Sequence, residues 1–141
     1  MTAEDEVRTA SKEFYAALNR MLGGDASSLG DIWSHDATIT TMHPIGGREI
    51  GWEQVKASFE QVARSSTGGR VDLTDQLIRI AGVVAYELGV EHAQFSISGE
   101  PLSVNSRVTN IYRRQGGKWK IVHHHGDKSP GIFEALSRSK N

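Results

Sequence analysis

The stretch Tyr112-Arg113-Arg114-Gln115-Gly116-Gly117-Lys118-Trp119-Lys120-Ile121-Val122-His123-His124-His125 decides the fold. Two runs rich in aromatic and β-branched residues flank Gln-Gly-Gly-Lys, and glycines between extended runs are the chemistry of a hairpin turn. The hairpin closes a longer series. Residues 71–80, 83–95, 102–114 and 119–125 read as four strands rich in Val, Ile, Tyr and Thr. Ala81-Gly82, Ser98-Gly99-Glu100-Pro101 and the Gln-Gly-Gly-Lys turn separate them. Connections this short join antiparallel neighbours, so the second half of the chain is a meander.

Upstream, the apolar period changes from two to between three and four. Val7, Ala10, Phe14, Ala17, Leu18, Met21 and Leu22 predict a helix over residues 3–22, with Tyr15 on one flank of its stripe. Thr2 can cap it, Glu4, Asp5 and Glu6 suit its first turn, and Gly23-Gly24 stops it. Asp25-Ala26-Ser27-Ser28 starts a short second helix through Leu29, Ile32 and Trp33. Residues 37–42 read as a strand, interrupted at His43-Pro44-Ile45-Gly46-Gly47 because proline cannot donate to a ladder. Trp52, Val55, Phe59 and Val62 predict a helix over 51–64, followed by a loop over 65–69. After Pro130, residues 132–136 can form one helical turn. Helices first and strands last give an α+β domain, with one domain spanning 1–141. Three N-terminal helices are expected on the concave face of a strongly curved, mostly antiparallel sheet, leaving a cone-shaped pocket between the layers.

Composition removes many functions. The chain has 141 residues, 38% hydrophobic and 23% charged, with 16 basic and 17 acidic residues and a net charge of -1. It has no cysteine, which excludes thiolate metal sites, thiol nucleophiles and disulfide scaffolds. Balanced charge without a basic block argues against a nucleic-acid surface. No run approaches a membrane span, and Met1-Thr2-Ala3-Glu4-Asp5-Glu6 is acidic where a signal peptide would be basic, so a cytoplasmic location is expected. The sequence contains no Gly-x-Gly-x-x-Gly, P-loop, Gly-x-Ser-x-Gly or His-Glu-x-x-His pattern.

The quoted hairpin, with Ser129-Pro130 after it, resembles the nuclear transport factor 2-like superfamily. That group includes SnoaL-like polyketide cyclases, ketosteroid isomerase, scytalone dehydratase and the association domain of calcium/calmodulin-dependent kinase II, and the hairpin string is most similar to the kinase association domain and its bacterial stand-alone relatives. The Phe14-to-Trp33 opening and His35-Asp36-Ala37-Thr38 extend the resemblance over most of the chain. It implies a cone-shaped α+β barrel, a small apolar organic ligand in the cone, no cofactor, and a homodimer formed through the outer sheet face. It does not imply one activity, because this fold hosts isomerases, dehydratases, cyclases and assembly domains.

Candidate site residues follow from position. His43, at the proline-forced break, stands where the isomerase carries its general-base aspartate, and a free imidazole is well matched to neutral pH. Tyr15 resembles the isomerase's oxyanion-donating tyrosine. Thr109 stands where the isomerase has its protonated aspartate, and Arg107, two residues earlier on the same strand face, can supply positive charge. Strict alternation from the hairpin places Val122 and His124 in the pocket, and Trp119, Ile121, His123 and His125 on the outer, dimer-forming face. Trp33 and Trp52 can wall the pocket or pack in the core. A metal held by His123 and His125 with His92 or Asp127 is the weaker alternative, and no metal is expected. Two functional readings remain open: cofactor-free isomerisation, dehydration or cyclisation of a carbonyl compound with His43 as base, or a non-catalytic ligand-binding or dimerisation module.

Overall fold

Thr2 and Asp5 close the first turn of α1 (Ala3–Leu22) in the computed structural model, which describes residues 1–139. Thr2 Oγ1 accepts from the Asp5 amide and Asp5 Oδ2 accepts from the Thr2 amide, both at 3.1 Å. This reciprocal capping satisfies two otherwise orphaned amides. The stripe from Val7 to Leu22 is buried as the periodicity predicts. A short 3₁₀ turn (Ser27–Asp31) replaces the expected second helix. Next come β1 (Thr40–Met42), β2 (Glu49–Ile50), α2 (Trp52–Ser65) and the long strands β3 (Ser66–Ala81), β4 (Val84–Ile97), β5 (Glu100–Gln115) and β6 (Lys118–Gly126). The chain then enters α3 (Pro130–Ser139).

The six strands form one curved, unclosed sheet in the order β2-β1-β6-β5-β4-β3. All neighbours are antiparallel except β1 and β6, where Thr41 lies beside His124 in parallel register. The interruption at His43–Gly47 is a turn, closed by the Gly46 amide donating to the His43 carbonyl (2.9 Å), and β2 returns to pair with β1. The fold class is therefore α+β, as expected.

Three β-bulges depart from simple alternation. A bulge adds one unpaired residue, bends its strand and changes which side chains face inward. The first lies between Ser66 and Gly69, opposite β4. Residues 65–69 are thus the end of α2 and the start of β3, not a loop. Glycine is required there: a Cβ on Gly69, at φ 146°, would stand 2.3 Å from the Gln94 carbonyl oxygen. The second places Asp75 and Gln76 opposite Gly89. A Cβ on Gly89 would come within 2.6 Å of Leu73 Cδ1, so glycine lets the bent strands approach.

The third bulge decides the site. Tyr112 pairs with Ile121 but Ile111 pairs with His123, so Val122 is the extra residue. Trp119 and Ile121 are buried in the main core before it, and His124 is buried after it. Strict alternation could not give both. Trp119 and Ile121 face the core rather than the outer surface, while His123 and His125 share cross-strand rows with the outer-face residues Ile111 and Thr109.

The C-terminal segment is a ten-residue helix rather than a single turn. Ile132, Ala135 and Leu136 of α3 bury themselves against Ile97, with Ile45, Phe95, Leu102 and Val104 around them. This second cluster covers the end of the space between helices and sheet. No helix among the described residues is long and apolar enough to cross a membrane.

Candidate functional site

Between α1, α2, α3 and the concave sheet face lies a cavity of about 100 Å³. Leu18 and Met21 from α1, Phe59 and Val62 from α2, Phe95 and Ile97 from β4 and Leu136 from α3 contribute its apolar wall. Three polar side chains line it: His43, Glu91 and His124. An apolar cavity with a few convergent titratable groups is the usual form of a small-molecule site.

His43 is held at the end of β1 by the proline break. Its Nε2 lies 2.8 Å from Ser58 Oγ on α2 and 3.6 Å from Glu49 Oε1. The Ser58 hydroxyl donates to the Val55 carbonyl (2.6 Å). Burial disfavours the imidazolium and pulls the His43 pKa down to about 4. His124, delivered inward by the Val122 bulge, has Nδ1 2.5 Å from Asn110 Oδ1. Its pKa falls to about 3, chiefly by burial and then by the neighbouring histidines His43, His123 and His125. The rings of His43 and His124 have centroids 6.0 Å apart.

Glu91 comes from β4, on the inward face shared with Ala85, Glu87, Ala93 and Ile97. Its Oε2 accepts from the Tyr15 hydroxyl at 2.7 Å. Burial raises its pKa to about 7; the Tyr15 hydrogen bond opposes this and the Glu87 carboxylate adds to it. Tyr15 stays a phenol, because burial and then Glu91 push its pKa well above the usual value.

Behind Glu91 a second buried carboxylate completes a network. Glu87 is fully buried and accepts from the Tyr112 hydroxyl (2.8 Å), Asn110 Nδ2 (3.0 Å) and Gln76 Nε2 (2.6 Å). Asn110 Nδ2 also donates to the Tyr15 hydroxyl oxygen (3.2 Å). Arg8 donates to Gln76 Oε1. Gln76 sits in the second bulge, which lets its side chain reach Glu87. Both Glu87 oxygens thus have partners, as buried polar atoms require.

Of the residues expected at the site, His43 and His124 line one cavity, and Tyr15 lies one hydrogen bond behind it. The others lie elsewhere. Thr109 and Arg107 line a groove on the opposite sheet face, because β5 buries Val108, Asn110 and Tyr112 and turns the odd-numbered residues outward. Arg107 pairs with Asp127 there (Nε to Oδ2, 2.8 Å). Trp33 is core, edge-on to Phe14 and tilted on Phe59. Trp52 stacks on His35 with centroids 4.4 Å apart, outside the cavity. His92 contacts Thr74 and Asn105 on the exposed surface. Among the described residues no group of three or more His, Asp or Glu is arranged to hold a metal ion.

Glu91, Glu87 and Asn110 were not singled out from the sequence. A signal existed: alternation puts Ala85, Glu87, Gly89, Glu91, Ala93 and Phe95 on one face. Two acids on a face otherwise small and apolar imply buried carboxylates.

A model of the SnoaL-like domain matches residues 7–127. The chain belongs to the SnoaL-like family. No curated protein matches it. Among solved structures, a proposed dehydratase of the NTF2-like family from Streptomyces avermitilis is 22% identical, with 89% of this chain and 94% of that one covered and a TM-score of 0.78. A proposed calcium/calmodulin-dependent protein kinase type II association domain from Thiobacillus denitrificans is 20% identical, with coverages of 86% and 94% and a TM-score of 0.72. A proposed ketosteroid isomerase from Shewanella frigidimarina is 21% identical, with coverages of 84% and 92% and a TM-score of 0.69. At these identities the SnoaL-like chain shares their fold, and its chemistry has to be argued from its own residues.

Proposed function

We propose that this SnoaL-like domain binds a small, largely apolar carbonyl compound and moves a proton on it without a cofactor, as in isomerisation, dehydration or cyclisation. One observation carries the reading: Glu91, His43 and His124 converge on a single apolar cavity. A group suited to proton transfer near neutral pH has a pKa near 7, and burial brings Glu91 there. His43, the base expected from position, is the weaker base of the two because burial lowers it. Tyr15 is a positioning residue in this reading, since its hydroxyl proton is given to Glu91. The cavity is small, which favours one-ring or open-chain compounds over polycyclic ones. It also supports a second reading, a binding module without turnover.

The test is a thermal-shift screen of one-ring ketones and hydroxyketones, since a specific ligand stabilises by mass action. Turnover of any hit is then followed in Glu91→Gln and His43→Ala. Loss of turnover in Glu91→Gln with the fold retained supports the proposal; unchanged turnover in both variants overturns it.

Dimerisation through the outer sheet face is part of the same proposal. Leu77 and Leu88 are cross-strand neighbours there, as are Tyr86 and Ile111. Leu77 is 39% and Tyr86 42% exposed, an apolar surface suited to a partner copy. Light scattering of the wild type should give twice the chain mass, and Tyr86→Lys should give the monomer; a monomeric wild type rules the dimer out.

A further inference from the structure

The hydrogen bonds around the cavity have directions that follow from which donors are already committed to other acceptors. Asn110 turns its Nδ2 to Glu87 Oε1 and the Tyr15 oxygen, so its Oδ1 faces His124. An amide oxygen only accepts, so His124 carries its proton on Nδ1 and keeps a lone pair on Nε2. Ser58 gives its one hydroxyl proton to the Val55 carbonyl and so accepts from His43 Nε2, beside a second acceptor, Glu49 Oε1. His43 therefore keeps its lone pair on Nδ1. The Tyr15 hydroxyl proton is committed to Glu91 Oε2.

This leaves His43 Nδ1, His124 Nε2 and Glu91 Oε1 without a protein hydrogen bond. Among the described residues, the side-chain polar atoms both sealed and unpartnered are Trp33 Nε1 and Trp119 Nε1. The three free atoms are therefore not sealed, and all three residues line the cavity. The cavity offers two lone pairs and one carboxyl group. Among the described side chains that line it, none offers a standing N–H or O–H donor apart from a protonated Glu91.

We propose that the substrate carries a hydroxyl group β to a carbonyl, that the histidine lone pairs take up this compound, and that it loses water in the cavity with Glu91 as proton donor to the departing oxygen. The inference rests on the proton-transfer reading above and narrows it to one reaction. An isomerisation through an enolate needs donors for the enolate oxygen, which two lone pairs would repel. In an elimination the charge leaves with the hydroxyl, where one acidic proton is enough. His124 Nε2 accepts a hydrogen bond from the substrate hydroxyl, which keeps its hydrogen. His43 Nδ1 takes the Cα proton, and the C–H electron pair becomes the Cα=Cβ double bond. The Cβ–O bond breaks with its pair on oxygen, and the Glu91 proton converts that oxygen to water. The products are an enone, water, the His43 imidazolium and the Glu91 carboxylate. Return of the proton from His43 to Glu91 through the released water restores the site.

The electrostatics agree. Glu91 titrates near 7, above His43 near 4 and His124 near 3, the reverse of the usual order. Between about pH 4 and 7 the acid is protonated while both imidazoles are neutral, the state elimination requires. Tyr15 and, behind it, Glu87 face Glu91; Ser58 and Glu49 face His43; Asn110 and His43 face His124, with His123 and His125 adjacent on the strand.

Nitrogen-15 NMR of the whole protein at pH 6 reads the tautomers directly. The expected result is protonated Nε2 on His43 and protonated Nδ1 on His124, and the opposite tautomer at either residue overturns the inference. Cyclopentanol and cyclopentanone then serve as matched probes differing in one hydrogen-bond donor. The alcohol should bind at least tenfold more tightly and shift the free histidine nitrogens; equal binding, preference for the ketone, or no binding of the alcohol overturns it. Finally, 3-hydroxycyclopentanone should give cyclopentenone, detected by its ultraviolet absorption, in wild type but not in Glu91→Gln. A ketone-preferring cavity that exchanges the α-protons of cyclopentanone would sink this inference and leave the proton-transfer proposal standing. No proton exchange and no elimination by wild type would remove both.

Discussion

Replacing Glu91 by Gln should stabilise the protein at alkaline pH while removing its proton-transfer group. Gln keeps the shape and still accepts the Tyr15 hydrogen bond, so the contact seen at 2.7 Å survives. What changes is the titration. An unfolded glutamate loses its proton near 4.5, whereas folded Glu91 holds it to about 7. Between these values the folded state holds one more proton than the unfolded state, so its contribution to stability falls as pH rises and levels off above about 7. A displacement from 4.5 to about 7 corresponds to about 3 kcal/mol. Glu91→Gln lacks that titration. Its stability relative to wild type should be near zero at pH 4.5 and reach about 3 kcal/mol in its favour at pH 8, or roughly 10 °C in Tm for a chain of this size. Urea denaturation of both proteins at half-unit pH steps from 4.5 to 8 measures this difference directly, because the histidine contributions are common to both. Two parallel stability curves would refute the reasoning, since Glu91 would then titrate as a solvated carboxylate.

Other consequences are equally open to measurement. Wild-type stability should rise by about 1 kcal/mol per pH unit between pH 5 and 6. In that range the unfolded chain holds two extra protons at the positions of His43 and His124 and the folded chain one at Glu91; a flat denaturation profile there would contradict the buried neutral histidines. Asn110→Leu should cost roughly 3 kcal/mol by chemical denaturation, because it strands groups of Glu87, Tyr15 and His124 at once; a loss below 1 kcal/mol would mean the network is not closed. Deleting Val122 removes the bulge, so Trp119 and Ile121 or else His124 must turn outward. Native near-ultraviolet tryptophan circular dichroism in that deletion would show that the bulge is dispensable. Gly89→Ala should destabilise by about 1–3 kcal/mol through its clash with Leu73, and Leu73→Ala should relieve part of that loss in the double variant; simple additivity would argue against the close approach.

Much of the fold is written locally. Thr2 and Asp5 set the start of α1, the apolar stripe sets its face, and the glycine turns set the antiparallel strands β3 to β6. His43 was legible because proline cannot continue a ladder, and that break sits at the mouth of the cavity. His124 was legible only in part: its inward position came from strict alternation, which also sent Trp119 and Ile121 the wrong way. Thr109 illustrates the same limit on β5, where Asn110 holds the inward place.

What the sequence determined by itself is α1, α2, the succession of long strands and the α+β class, because capping, periodicity and turn chemistry act over a few residues. Tertiary structure decided the rest. The Val122 bulge exists because Trp119, Ile121 and His124 all have buried places, which only contacts with α1, β1 and β5 can specify. The raised pKa of Glu91 and the lowered ones of His43 and His124 come from desolvation by elements distant in the chain. Chain-terminal α3 becomes a full helix because Ile132, Ala135 and Leu136 find Ile97 and its neighbours to pack on. Two of the six histidines, His43 and His124, thus meet Glu91 in the cavity, a meeting that exists only once the sheet and its helices bring β1, β4 and β6 together.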